Sequence, residues 1–228
     1  MKQILSYLLL SFFLHASCQQ EETIASSGKG TLSLSSVEVT GTEVIPVSTR
    51  AVNPVLAIEI AKADGTPVVK YAAGASEASQ KIELEAGDYL LKAYSANYGA
   101  TWENAEKGEP VYYKEQSFSI EAERVRYLTV AVPMVNMGVT FALPEGFGTW
   151  FKSYTFSAQI GERSVALQNG ETAYFDLPSD GNNILNYSLT VVNTDDESQN
   201  KNSAYPGITT GSLYEITYLL ATQSLEVR

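Results

Sequence analysis

The sequence predicts an all-β chain of two tandem immunoglobulin-like or transthyretin-like β-sandwich domains, preceded by a lipoprotein-type signal and a short linker. Three observations carry that expectation. From Thr31 onward the apolar stretches are short and alternate with polar residues, the period of a half-buried strand. Gly, Asn, Asp and Pro separate those stretches, as turn chemistry requires. Beyond Cys18 no segment keeps a helical period over three turns, so a parallel α/β sheet has no crossover helices to draw on.

The N-terminus comes first in order. Lys2 supplies a minimal positive region, and Ile4 to Leu14 is an apolar run broken only by Ser and Tyr. That run is shorter than the roughly 20 apolar residues a membrane-spanning helix needs. It ends in Ala16-Ser17-Cys18, with His15 where a Leu is usual, and resembles the lipobox at which bacterial lipoproteins are cleaved and acylated. Residues 1–17 are thus read as a lipoprotein signal peptide and Cys18 as the lipidated residue; an ordinary secretory signal with a stray Cys is the competing reading. Gln19-Gln20-Glu21-Glu22 resembles the acidic export signal that sends Bacteroidetes lipoproteins to the outer face of the outer membrane, and also fits a solvated linker. Residues 18–29 are polar, small and aperiodic, which is linker composition.

Strands follow. TLSLSSVEV (31–39) and VLAIEIAK (55–62) alternate; Asp64-Gly65 turns the second of these into PVVKYA (67–72). KIELE (81–85), a turn at Ala86-Gly87-Asp88, and YLLKAYSA (89–96) read as a further hairpin, and 111–121 and 125–132 close the first half. The second half runs through 138–143, 154–160, 164–168, 172–177, 187–193, 214–221 and 224–228. An internal echo links the halves: Ile82-x-Leu84 then Tyr89-x-Leu91-x-Ala93 is answered by Phe175-x-Leu177 then Tyr187-x-Leu189-x-Val191. Tandem domains over 30–134 and 135–228, divided near Pro133 to Asn136, are the reading this favours, against one larger sandwich.

Charge and residue inventory exclude much. A formal net charge of -11 and sparse, scattered Lys and Arg argue against a nucleic-acid partner. If Cys18 is acylated after cleavage, the mature chain holds no thiol and no His, which removes Ser-His-Asp and Cys-His nucleophiles and His-based zinc sites. No cofactor or metal is expected. Glu103, Glu106 and Glu109 beside Trp102 are the best carboxylate cluster for a glycosidase, though an acidic Gly-Pro-flanked loop is more often solvated surface. Asp180 to Asn183 and Asp195 to Glu197 offer oxygens without the spacing of a calcium loop, and read as polar turns. In the loop 94–113, Tyr98, Trp102, Tyr112 and Tyr113 are the candidate ligand contacts, the alternative being that they pack against the sandwich. Arg50-Ala51, between the first and second strands, is a candidate processing site; a bland linker Arg is the alternative.

GKGTLSLS (28–35), ADGTPVVKY (63–71), IELEAGDYLLKAYS (82–95), the loop ending in Pro110-Val111-Tyr112-Tyr113, and VPMVNMGVTF (132–141) occur in one order. That order resembles the Bacteroidetes lipoprotein family of the domain of unknown function 4493, from Gly28 to about Phe141. The family in turn resembles fimbrillin-like surface lipoproteins. The resemblance implies two sandwiches, a lipid anchor in the outer membrane facing the cell exterior, cleavage after an Arg, and assembly by strand exchange. Carried over, it makes Arg50 the cleavage site and roughly Thr31 to Thr49 the exchanged element. The expected function is that of a non-catalytic surface lipoprotein with a structural or adhesive role, whose partners are other fimbrial or surface proteins. The alternative is a glycan-binding lipoprotein of a polysaccharide-uptake system.

Overall fold

The computed structural model describes residues 28–40 and 56–228; the signal region, Cys18, Arg50 and Ala51 lie outside them. The described chain is fifteen strands with one 3-10 turn and one single-turn helix, α1 (Phe147–Trp150). In the first half, β4 (Ile82–Glu85), β1 (Lys29–Thr40) and β7 (Val125–Pro133) form one sheet in that order. It faces a second sheet ordered β3 (Pro67–Tyr71), β2 (Leu56–Lys62), β5 (Gly87–Ser95) and β6 (Tyr113–Ile120). Leu32, Ile58, Ile60, Leu91 and Val130, all fully buried, fill the space between them.

The second half repeats this plan strand for strand. One sheet is β11 (Thr172–Phe175), β8 (Met137–Ala142), β14 (Leu213–Leu219) and β15 (Ser224–Val227); the other is β10 (Arg163–Leu167), β9 (Phe151–Ile160), β12 (Ile184–Asn193) and β13 (Ser198–Pro206). In each half the first strand pairs antiparallel with the fourth and parallel with the seventh. The echo seen in the sequence therefore marks equivalent strands: Tyr89, Leu91 and Ala93 of β5 and Tyr187, Leu189 and Val191 of β12 all point into their cores. The halves differ at one edge, since β15 covers β14 whereas β7 is an outer strand among the described residues.

Local chemistry explains several details. Leu34 and Val37 are three residues apart yet both buried, which strict alternation forbids; a bulge between Leu34 and Ser36 absorbs the extra residue. At the β2–β3 hairpin, Gly65 takes φ +87°, Lys62 N–H donates to Thr66 O, and Asp64 Oδ1 accepts the Thr66 N–H at 2.8 Å. The expected hairpin of 81–96 does not form. β4 and β5 are adjacent in sequence but lie in opposite sheets, paired with β1 and β2. Ala86-Gly87-Asp88 lacks the Asp-Gly order of a two-residue hairpin turn, and the apolar sides of both strands are buried only if they face each other across the core.

Candidate functional site

The loop between β5 and β6, residues 96–112, holds most of the sequence-derived site residues, and its folding separates them. Tyr94 and Tyr113 are cross-strand partners and share the outer face of their sheet. Tyr98, in the turn after β5, stacks flat on Tyr113 at 4.4 Å with 9° between the rings, and Tyr94 leans on it at 6.0 Å. Tyr113 Oη–H donates to Glu115 (3.0 Å); burial first and then this contact push its pKa up to about 12, so it remains a protonated donor. Tyr98 keeps 47% of its surface exposed and offers one ring face to a ligand.

Tyr112 goes the other way. It is 8% exposed and belongs to the first core, because alternation that turns Tyr113 outward turns Tyr112 inward. It presents no ring face to solvent. Trp102 is half-buried where the loop meets the second half, lining an open cleft of about 460 Å³ with Arg163, Asp176 and Pro178. Its indole N–H is buried without an acceptor.

The remainder of the loop is a strap laid across the second half. Ala105 N–H donates to Ser164 O (3.2 Å), Ser164 N–H to Asn104 Oδ1 (3.1 Å), and Tyr174 N–H to Lys107 O (2.7 Å). Arg163 fixes it: the guanidinium donates to the backbone carbonyls of Glu103, Glu106 and Tyr174 and sits 4.8 Å from the Phe175 ring centre. Burial lowers the Arg163 pKa, with Asp176 and Glu106 opposing, but a guanidinium starts high enough to stay charged. Lys107 pairs with Glu171 alongside. Gly108, at φ +68°, passes close to Tyr174 O, so both its backbone conformation and its lack of Cβ are required there.

Of the three carboxylates named from sequence for acid–base work, Glu106 and Glu109 hold the loop's own turns, while Glu103 contributes its backbone to them and is exposed. Glu106 Oε2 accepts the Glu103 N–H (2.8 Å) and Glu109 accepts from Asn97 (3.2 Å). Asp180 likewise accepts the Asn182 N–H (2.9 Å), and Asp196 pairs with Lys152 (2.7 Å). Among the described residues no group of three or more His, Cys, Asp or Glu is placed to hold a metal ion, and no helix is long and apolar enough to cross a membrane.

Three residues escaped the sequence reading. Arg163 and Asn136 knit the halves together, and Trp150 stands 63% exposed at the far end of the second half. For Asn136 a signal existed: a lone Asn between Val135 and Met137, in an apolar run, needs buried partners. It is fully buried, accepting from Val111 N–H (3.0 Å) and donating to Glu109 O (2.9 Å).

A family model described as domain of unknown function (DUF4493) matches residues 28–226, well past Phe141 where the sequence motifs thin. Among solved structures, a fimbrial assembly protein from Parabacteroides distasonis is similar at 11% identity and TM-score 0.48, over 88% of this chain and 93% of its own. A fimbrilin from Porphyromonas gingivalis W83 is similar at 11% identity and TM-score 0.46, over 89% and 96%. These are likenesses of chain path at low identity. No curated protein matches the chain.

Proposed function

We propose that this chain, which belongs to the DUF4493 family, is a non-catalytic, lipid-anchored protein of the outer cell surface with a structural or adhesive role, assembling by strand exchange. The observation that carries the reading is the position of β1. It is the first described strand, yet it lies in the interior of its sheet, bonded to β4 on one edge and β7 on the other. Arg50 lies in the segment that joins it to β2. A cut there severs the covalent tie between β1 and the rest of the sandwich. The vacated slot would have two open backbone edges and an apolar floor shaped for Leu32, Leu34 and Val37, which suits the strand of another subunit.

The test is cleavage of the full chain with an Arg-specific protease. The reading expects one product beginning at Ala51 and concentration-dependent oligomers, with an Arg50→Ala chain uncut and monomeric. Persistent monomers after complete cleavage would overturn it. Export is tested separately by protease digestion of intact cells: release of fragments places the protein outside, protection places it in the periplasm.

A second reading, glycan contact through the β5–β6 loop, is favoured by one observation, the flat exposed face of Tyr98 on Tyr113. Carbohydrate binding that survives Tyr98→Ala would remove it.

A further inference from the structure

We propose that the cleft beside Trp150, at the end of the second half, is a binding site for a neutral saccharide ring. The proposal deepens the adhesive reading but does not depend on strand exchange. Trp150 closes the single helical turn α1, and its exposure does not come from a failure to pack. The inward positions of that turn are already filled: Phe147 and Phe151 stack at 4.7 Å, and Tyr218 meets both edge-on. The indole is thus held at the surface by a finished core beneath it, the arrangement in which a flat aromatic is available for a ligand.

The cleft in front of it has a volume of about 500 Å³, the size of a one- to two-ring ligand. Leu220 and Ala221 continue the apolar wall, while Asp195, Gln199 and Gln223 line the rim. The side chains of these three polar residues make no hydrogen bond or ion pair within the described residues, so planar amide and carboxylate groups stand free around an aromatic face. That is the donor and acceptor set that hydroxyl groups on an apolar ring would use. Among the described residues no Lys or Arg lines the cleft, and the one charge lining it is Asp195, which disfavours phosphate, sulfate or uronic acid.

The walls are held in place before any ligand arrives. Thr194 N–H donates to Trp150 O (3.2 Å), tying the β12–β13 turn to the indole's own backbone. Asn193 Oδ1 accepts the N–H groups of Asp195 (2.9 Å) and Glu197 (2.8 Å). Asp196 and Gln223, in the two turns that flank the cleft, sit at φ +65° and +48°, a conformation costly for residues other than Gly. Both turns therefore hold shapes that backbone preference alone would not select.

The experiment uses the full chain with Cys18→Ser to prevent acylation and Arg50→Ala to prevent cleavage, so that assembly plays no part. Since Trp102 and Trp150 are the only two tryptophans, a Trp102→Phe background makes fluorescence report on Trp150 alone. Neutral hexasaccharides of glucose, mannose and N-acetylglucosamine are the probes, with a uronic-acid hexasaccharide as the charged comparison. The expected result is a saturable change in Trp150 emission with at least one neutral probe. In the chain that keeps Trp102, Trp150→Ala should weaken that binding by about tenfold or more, measured by calorimetry, and Gln199→Ala by a smaller factor. Trp150→Ala should leave the melting curve in place because the side chain lies outside the core. No response to any neutral probe, preferential binding of the uronic acid, or affinity unchanged in Trp150→Ala would each overturn the proposal. None of these outcomes bears on cleavage at Arg50, which is read from oligomer formation alone.

Discussion

Replacing Asn136 by Leu should destabilise the protein by about 2–4 kcal/mol, because this one buried amide completes the hydrogen bonding of a junction. The side chain accepts the Val111 N–H at 3.0 Å and donates to Glu109 O at 2.9 Å, while its backbone carbonyl takes the Gly211 N–H at 2.8 Å. Leu keeps the volume and the backbone contact but orphans the Val111 N–H in a residue that is 5% exposed. An unpaired buried donor costs about 1–3 kcal/mol; the Glu109 carbonyl, in an exposed residue, finds water and costs only the net worth of its bond, about 1 kcal/mol. For a chain of this size, each kcal/mol moves the melting temperature by about 2–4 °C, so a fall of roughly 5–15 °C is expected. Thermal unfolding by circular dichroism measures it, and amide exchange locates it: the Val111 amide should lose protection in the variant. A fall below about 2 °C, with Val111 still protected, would refute the assignment of Asn136 as the junction's buried hydrogen-bond hub.

Gly30→Ala should cost about 1–3 kcal/mol in urea unfolding, because a Cβ there would meet the backbone carbonyl of Glu121 and the Ile120 side chain. Arg163→Lys keeps the charge but not the fork that spans three carbonyls, so a Glu-specific protease should cut at 103–109 several-fold faster, with Glu162→Gln as a neutral comparison. Lys107, and then the Gln168 N–H, hold the Glu171 carboxyl below its ordinary range. A depressed pKa adds stability above the unfolded value that is lost as pH falls through the folded one, so wild type should exceed Glu171→Gln at about pH 7 and converge with it by about pH 3. Equal urea midpoints at both pH values would remove that contact from the strap.

Strand identity was legible because burial on one face leaves a period of two in the sequence. β5, β7 and β12 carry it plainly. β13 carries none: SQNKNSAYP is largely exposed on both faces, so its nine-residue pairing with β12 left no apolar trace, and only the backbone ladder makes it a strand. Its Lys201 and Pro206 suit an outer edge that must not recruit another chain. Sheet membership was harder to read, since alternation tells which side of a strand is buried and not which wall of the sandwich it belongs to. That is why β4 and β5 read as a hairpin although they face each other across the core. At the site, alternation alone would have divided Tyr112 from Tyr113. The role of Arg163 had no local signature, because its carbonyl partners lie about 60 residues upstream or across a turn.

The repeat also bears on the proposal that β1, rather than its counterpart in the second half, is exchanged. β8 occupies the same place in the second half, between an antiparallel fourth strand and a parallel seventh, and buries Met137, Val139 and Phe141 fully. It follows β7 after three residues, anchored by Asn136, so no single cut frees it without severing the two halves. β1 is joined to β2 through residues 41–55 alone, and the proposed cut after Arg50 would fall in that segment, outside every strand of either sandwich among the described residues. Release is not spontaneous even then. Exposing Leu32, Leu34 and Val37 costs about 5–9 kcal/mol at 1.5–3 kcal/mol each, a large share of the roughly 5–15 kcal/mol that holds a domain folded. An emptied slot would leave the first half near unfolding, so exchange requires the incoming strand to bind as the outgoing one leaves. A replacement must then restore the same spacing, two inward apolar residues two apart and a third placed three further on across the bulge. A peptide copying residues 29–40 should bind the cleaved chain, and one with Leu32→Asp should not.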